Sequence, residues 1–166
     1  MLLKPKIKLD KITDISVSLL KKYNISALLL DVDNTMSTHH GMVLTDGLME
    51  WIEEMHNNGI KLLVLSNSKE KRVKPFAKKI GLPYISLGCK PLPTGYCRGI
   101  KKLETNRKNV AIVGDQIFTD VLGGNVVGVK TILLTPIKLE STAGFRFKRK
   151  LENIVYKIHK IETTKE

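Results

Sequence analysis

Apolar residues fall along this chain in short, nearly unbroken runs, set apart by longer segments in which they recur every three or four positions. Ala27 to Leu30 is the first run, and Ile60 to Leu65, Tyr84 to Ser86, Asn109 to Val113 and Val129 to Leu134 follow. Successive Leu, Ile and Val over so few residues predict strands buried on both faces. Between them, the segment opened by Asp46 carries Leu48, Trp51, Ile52 and Met55 at helical spacing and stops at Asn57-Asn58-Gly59. Trp51 is read as core. A basic segment from Lys69 to Ile80 predicts the next helix, with Gly81-Leu82-Pro83 as its stop and Pro75 arguing against an unbroken one. Thr94 to Thr105 predicts another helix, and one more opens at Gln116 to Asp120 and closes around Gly123-Gly124-Asn125.

The two ends are less regular. Lys6 to Leu9 alternates briefly, and Ile15 to Lys22 reads as a helix leading into the first strand. Beyond Pro136, Leu151, Ile154, Val155 and Ile158 are spaced for one face of a helix between Phe145 and Ile161. Strands alternating with helices predict an α/β architecture, a Rossmann-like three-layer fold with a mainly parallel sheet and helices on both faces. A chain of 166 residues fits one domain. Its expected parts are an extension over 1–24, a core over 25–137 and a basic carboxyl-terminal helix over 138–166.

In a parallel sheet the carboxyl ends of the strands lie along one edge, where such folds bind ligands. Asp31 and Asp33 follow the first strand, Ser66-Asn67 the second, Lys90 the third and Asp115 the fourth, with Asp120 five residues on. These groups are therefore expected to converge. Close carboxylates repel unless a cation or a shared proton intervenes. Asp31, Asp33 and Asp115 are hard oxygen ligands of the kind Mg²⁺ takes, and Lys90 is a point charge suited to a phosphate. Ser66 offers a hydroxyl, and Asn67 an N–H near a helix start, where anions are favoured. Asp120 is placed to bind metal-bound water or to hold Lys90. A carboxylate can act as a covalent nucleophile while a second acid moves protons, which is sufficient for phosphoryl transfer. Each element has a plainer reading, Ser66-Asn67 as a helix cap and Lys90-Pro91 or Gly114-Asp115 as turns. Four clusters in this order, each behind its own strand, favour the chemical one.

Charge adds a constraint on partners. Lys and Arg total 28 against 16 acidic residues, a net charge of +12. A lysine-rich solvated surface is one reading; an anionic partner, whether phosphorylated substrate, nucleic acid or anionic lipid headgroup, is the other. The 42% apolar content argues against disorder, and no run approaches the ~18 apolar residues of a membrane span. A charge and a proline interrupt Met1-Leu2-Leu3-Lys4-Pro5-Lys6, where a signal peptide would be apolar, so a cytoplasmic location is expected. Cys89 and Cys97 lack metal-type spacing and are expected to be free thiols.

With these residues in place the chain resembles the haloacid dehalogenase (HAD) superfamily. Asp31-Val32-Asp33-Asn34-Thr35, Ser66-Asn67, Lys90-Pro91 and Gly114-Asp115-Gln116-Ile117-Phe118-Thr119-Asp120 are similar to its four motifs. Val121 to Asn125 and Gly128 to Ile132 bring it closer to the YqeG family of HAD type IIIA phosphatases. The likeness covers residues 20–137, with a weaker echo at Phe147 to Glu152. It implies a HAD fold and a Mg²⁺-dependent phosphomonoesterase acting through an aspartyl phosphate. By position, Asp31 would be the nucleophile and Asp33 the acid/base, with Ser66 and Lys90 on the phosphate and Asn34, Thr35 and Asn67 beside it. Mg²⁺ would be held by the Asp31 side chain, the Asp33 main-chain carbonyl and Asp115, with Asp120 in support. The chain departs from the family at Ser68, where a second asparagine is usual. It departs again at Met36 to Met42, the expected flap over the site, which carries His39-His40; these are read as incidental.

Spacing bears on substrate. Between Asp33 and Ser66 there is room for a loop, one helix and one strand, and between Ser66 and Lys90 for one helix and one strand, so no cap domain fits in either gap. An open site takes a large substrate or borrows its cover from a partner subunit or a surface. The family's relatives include phosphatidylglycerophosphate phosphatases of phospholipid synthesis, which implies a lipid headgroup as substrate and peripheral contact with an anionic membrane through Arg146 to Lys150. Two other readings stay open: a basic RNA- or protein-binding factor on a HAD scaffold, and a capless phosphatase of a soluble metabolite whose oligomeric neighbour serves as lid.

Overall fold

The computed structural model of the chain describes residues 1–38, 43–137 and 143–164. Ala27–Leu30 (β2) lies at the centre of a six-stranded parallel sheet. Lys61–Leu65 (β3) and Tyr84–Ile85 (β4) lie to one side; Val110–Gly114 (β5), Lys130–Leu134 (β6) and Ile7–Leu9 (β1) lie to the other. The order β1-β6-β5-β2-β3-β4 sets Leu28 of β2 between Leu62 and Ala111.

Helices cover both faces, which is why apolar residues succeed one another along the strands instead of alternating with polar ones. Leu28 and Leu30 face Val17–Lys22 (α1), Leu48–Asn57 (α2) and Glu70–Ile80 (α3), where Leu19, Trp51, Met55, Phe76 and Ile80 are buried. Trp51 Nε1 donates to the Ile15 carbonyl at 2.9 Å. Ala27 and Leu29 face the opposite way, toward Pro93–Leu103 (α4) and Leu122–Val127 (α5), where Tyr96, Leu103 and Val127 are buried. Among the described residues no cap domain interrupts the core. Pro75 does not break α3. It sits on the exposed side, while Val73, Phe76, Ala77 and Ile80 hold the helix to the sheet.

Two elements differ from the sequence expectation. The brief alternation at Lys6 to Leu9 is an edge strand, with Ile7 opposite Ile132 in parallel register. Lys8 is buried there, its ammonium donating to the Leu9 carbonyl and Thr135 Oγ1 at 2.7 Å each. On the open side of β1, Thr164 N donates to the Lys8 carbonyl at 2.7 Å, and Lys8 N donates to Thr164 Oγ1 at 3.0 Å.

The last helix, Ala143–His159 (α6), is turned relative to its apolar spacing. Leu151, Ile154 and Ile158 are 39%, 52% and 68% exposed, whereas Glu152 and Val155 are buried. Val155 packs with Leu133, Ile117 and Val121, on the face of the sheet opposite α2 and α3. The anchor that outcompetes the apolar face is polar: Glu152 and Arg149 bond the segment after β5. Among the described residues no helix is long and apolar enough to cross a membrane, and Cys89 and Cys97 are free thiols.

Candidate active site

The carboxyl ends of β2, β3, β4 and β5 bring the sequence-designated groups onto one edge of the sheet. Asp31 extends β2, its N–H donating to the Val113 carbonyl at 2.9 Å. The chain then turns tightly, with the Val32 carbonyl accepting from Thr35, Met36 and Ser37 and with Asn34 at φ 57°. After β3, Ser66 Oγ accepts from Ser68 N at 3.1 Å. Asn67 clamps the main chain of Lys90 on both sides, its Oδ1 accepting from Lys90 N at 2.7 Å and its Nδ2 donating to the Lys90 carbonyl at 3.0 Å.

After β5 a single π-type turn, Ile117–Val121, carries Asp120 back over Gly114. Such turns recur at functional sites because they re-aim one side chain. A Cβ on Gly114 would lie 2.2 Å from Asp120 Oδ2, so only glycine admits this fold-back. Asp120 Oδ2 in turn accepts from Gln116 N at 3.2 Å.

Lys90 is the hub. Its ammonium donates to Asp31 Oδ1 at 2.7 Å and to Asp120 Oδ1 at 2.6 Å. Asp31, Asp115 and Asp120 are all buried, and each offers an oxygen within 4.8 Å of the others. Burial pushes the Asp31 carboxyl up to about 7, against the pull of Lys90 and helped by the charge on Asp120. Burial and then the charge on Asp31 push Asp115 up to about 8, although Arg149 opposes the shift. Burial alone would lower the Lys90 ammonium, but Asp120 and Asp31 outweigh it and raise it above the ordinary lysine value. Burial, then Asp120, also raises the Tyr96 phenol, which lies beneath the site and donates to the Thr119 carbonyl at 2.7 Å.

The cluster is therefore short of positive charge, and Asp115 Oδ1 is buried without a hydrogen-bond partner among the described residues. An acceptor so placed costs free energy. Oxygen donors, excess negative charge and an orphaned carboxylate oxygen together fit a hard divalent cation.

Asp31, Asp33, Ser66, Asn67 and Lys90 line a small cleft of about 80 Å³ with Ser68, Gln116 and Thr119. Asn34 and Thr35 are buried and are not among the residues lining it. His39 and His40 lie outside the described residues. Arg72 and Arg149 were missed from sequence. Arg72 Nη2 donates to Asp33 Oδ1 at 2.5 Å and Nη1 to Ser68 Oγ at 3.2 Å. Arg149 donates to Asp115 Oδ2, to the Asp115 carbonyl at 3.0 Å and to Glu152 Oε2 at 2.7 Å. Both sit in basic runs of a helix, where one cation looks like the next.

Family and fold together define a phosphatase with a HAD-type fold. A putative HAD superfamily (subfamily III A) hydrolase from Legionella pneumophila shares the fold at a TM-score of 0.52 and 18% identity, over 84% of this chain and 86% of that one. Residues 1–138 match the family described as mitochondrial PGP phosphatase, and the chain belongs to that family. It is 39% identical over 135 residues to the probable phosphatase YqeG of Bacillus subtilis (strain 168), covering 80% of this chain and 77% of the relative. It is 27% identical over 147 residues to the mitochondrial phosphatidylglycerophosphatase GEP4 of Saccharomyces cerevisiae, covering 80% and 79%.

Proposed function

We propose that the protein is a Mg²⁺-dependent phosphomonoester hydrolase in which Asp31 becomes phosphorylated, and that phosphatidylglycerophosphate is its substrate. The observation that carries this reading is the Lys90 ammonium between Asp31 and Asp120, which with Asp115 make three buried carboxylates able to share one cation. Residues 25–137 serve as the catalytic core, with 1–24 and the described part of 138–166 packed around it.

Asp31 Oδ attacks phosphorus, and the bond to the leaving oxygen breaks. Asp33 delivers a proton to that oxygen, then removes one from the water that hydrolyses the acyl phosphate. Lys90, with the Ser66 hydroxyl, binds the phosphoryl oxygens, and Asn67 keeps the Lys90 backbone in place. Asp31, the Asp33 carbonyl and Asp115 would hold the cation, with Asp120 in support; when bound, it supplies charge compensation for the carboxylates and the transferring group. Asn34 and Thr35 contribute as the turn beneath the phosphate.

A lipid headgroup is supported by the capless, open edge and by the name of the yeast relative. It is supported too by α6, whose outward Leu151, Ile154 and Ile158 lie among exposed Lys150 and Lys157. Such a face suits peripheral contact with an anionic bilayer, at about 1 kcal/mol per basic residue near the surface. Phosphate release from a panel of phosphatidylglycerophosphate, sugar phosphates, nucleotides and phosphopeptides, with and without Mg²⁺, tests the reading. Preference for a soluble sugar phosphate or nucleotide would overturn the lipid assignment.

A further inference from the structure

We propose that Arg149 is a positioning residue for the cation site, so that docking of α6 and binding of the divalent ion are one linked equilibrium; this rests on the metal reading above. The guanidinium grips Asp115 at two points, the side-chain Oδ2 and the main-chain carbonyl. A planar fork of fixed donors suits that double contact, and a lysine cannot reproduce it. Glu152 completes the brace. Its Oε2 accepts from Arg149 Nη1 at 2.7 Å and its Oε1 from Ile117 N at 2.9 Å. Lys148 adds a bond to Gln116 Oε1. Three side chains of α6 thus hold three consecutive residues, Asp115, Gln116 and Ile117, at the start of the turn that carries Asp120.

The division of labour at Asp115 gives the brace its meaning. Oδ2 is occupied by Arg149, and Oδ1 is buried and unpartnered. With one oxygen tied down, the other is left for a ligand and its direction is set. Fixing a ligating carboxylate through its second oxygen is the ordinary task of groups behind a metal site, and losing one costs about 10–100-fold in affinity. Among the described residues the apolar hold on the helix is small, Val155 with the half-buried Tyr156 beside it. Val155 is its one buried apolar residue among those described, while Leu151, Ile154 and Ile158 face outward. The polar brace therefore contributes to the docking alongside Val155 and Tyr156. Linkage is reciprocal: a cation that favours the braced Asp115 favours the docked helix by the same factor.

A competing effect has the opposite sign. A guanidinium so near the cation repels it, and if repulsion dominated, removing Arg149 would tighten binding. Titration calorimetry of the full-length chain with Mg²⁺ and Mn²⁺ decides. In Arg149→Gln and Arg149→Lys, affinity should fall about 10–100-fold with the circular dichroism spectrum unchanged. Glu152→Gln, which keeps the arginine and loosens its brace, should fall less. Amide exchange across 143–159 in the wild type should slow when Mg²⁺ is added. Equal or tighter metal binding by both Arg149 variants, or exchange in α6 indifferent to Mg²⁺, overturns the proposal and leaves the metal reading standing. A wild type that binds neither ion overturns both.

Discussion

Arg72 Nη2 lies 2.5 Å from Asp33 Oδ1, fixing the proposed acid/base to the first turns of α3 rather than to its own loop. Proton transfer to a leaving oxygen depends on where Asp33 points. Arg72→Ala should therefore lower kcat about 10–100-fold, the cost of a small misplacement of a reacting group. KM should change less, because Arg72 is not among the residues lining the cleft. Steady-state kinetics that show a KM effect alone would assign Arg72 to substrate binding instead.

Asp31→Asn keeps the size of the side chain and removes its nucleophilic oxygen. Turnover should disappear while the protein remains folded by circular dichroism. Phosphatase activity surviving in that variant defeats the covalent mechanism.

Lys90 is nearly enclosed and serves two carboxylates at once. Lys90→Met would leave Asp31 and Asp120 buried beside each other with no cation. Breaking a buried pair from one side costs about 3–5 kcal/mol. Urea unfolding at neutral pH without divalent ions should register a loss of that order, and Mg²⁺ should recover part of it.

Gly114→Ala introduces a methyl where Asp120 Oδ2 now sits, 2.2 Å from the new carbon. Either the turn at Ile117–Val121 moves or the strand does. A destabilisation of about 1–3 kcal/mol is expected from such overpacking. Activity should fall further than stability does, because the displaced residue is the partner of Lys90.

The pH dependence of the metal-free protein has a defined sign. Asp31 and Asp115 have carboxyl groups raised above the ordinary value, to about 7 and about 8. Groups shifted upward on folding contribute their stability below the unfolded-state value of about 4 and lose it as pH rises through the folded value. Their contribution to the melting temperature in chelator should therefore fall between about pH 4 and pH 8. Added Mg²⁺ should raise Tm more at pH 8 than at pH 5. A Mg²⁺ effect larger at pH 5 would show that the carboxylates are not where the ion binds.

The sheet and its catalytic edge were legible because both follow from local pattern. Buried strands cannot hide their apolar succession, and parallel topology then sends Asp31, Ser66, Lys90 and Asp115 to one side. What escaped was decided by tertiary contact. Ile7–Leu9 is too short to declare itself and becomes a strand by pairing with β6. The apolar face of α6 was read from Leu151, Ile154, Val155 and Ile158, of which Val155 is buried, while Glu152 turns inward because the Ile117 amide and Arg149 need an acceptor there. Asn67 was read as offering its backbone N–H to a phosphate; the clamp of its side chain on the Lys90 backbone is a further role that no local pattern announces. No spacing rule distinguishes Arg72 from Lys71 or Arg149 from Lys150. Geometry alone separates them.

The bonds between Thr164 and Lys8 join the segment after α6 to β1. They fill the outward ladder positions of the sheet's last rung, which would otherwise offer a template to a neighbouring molecule.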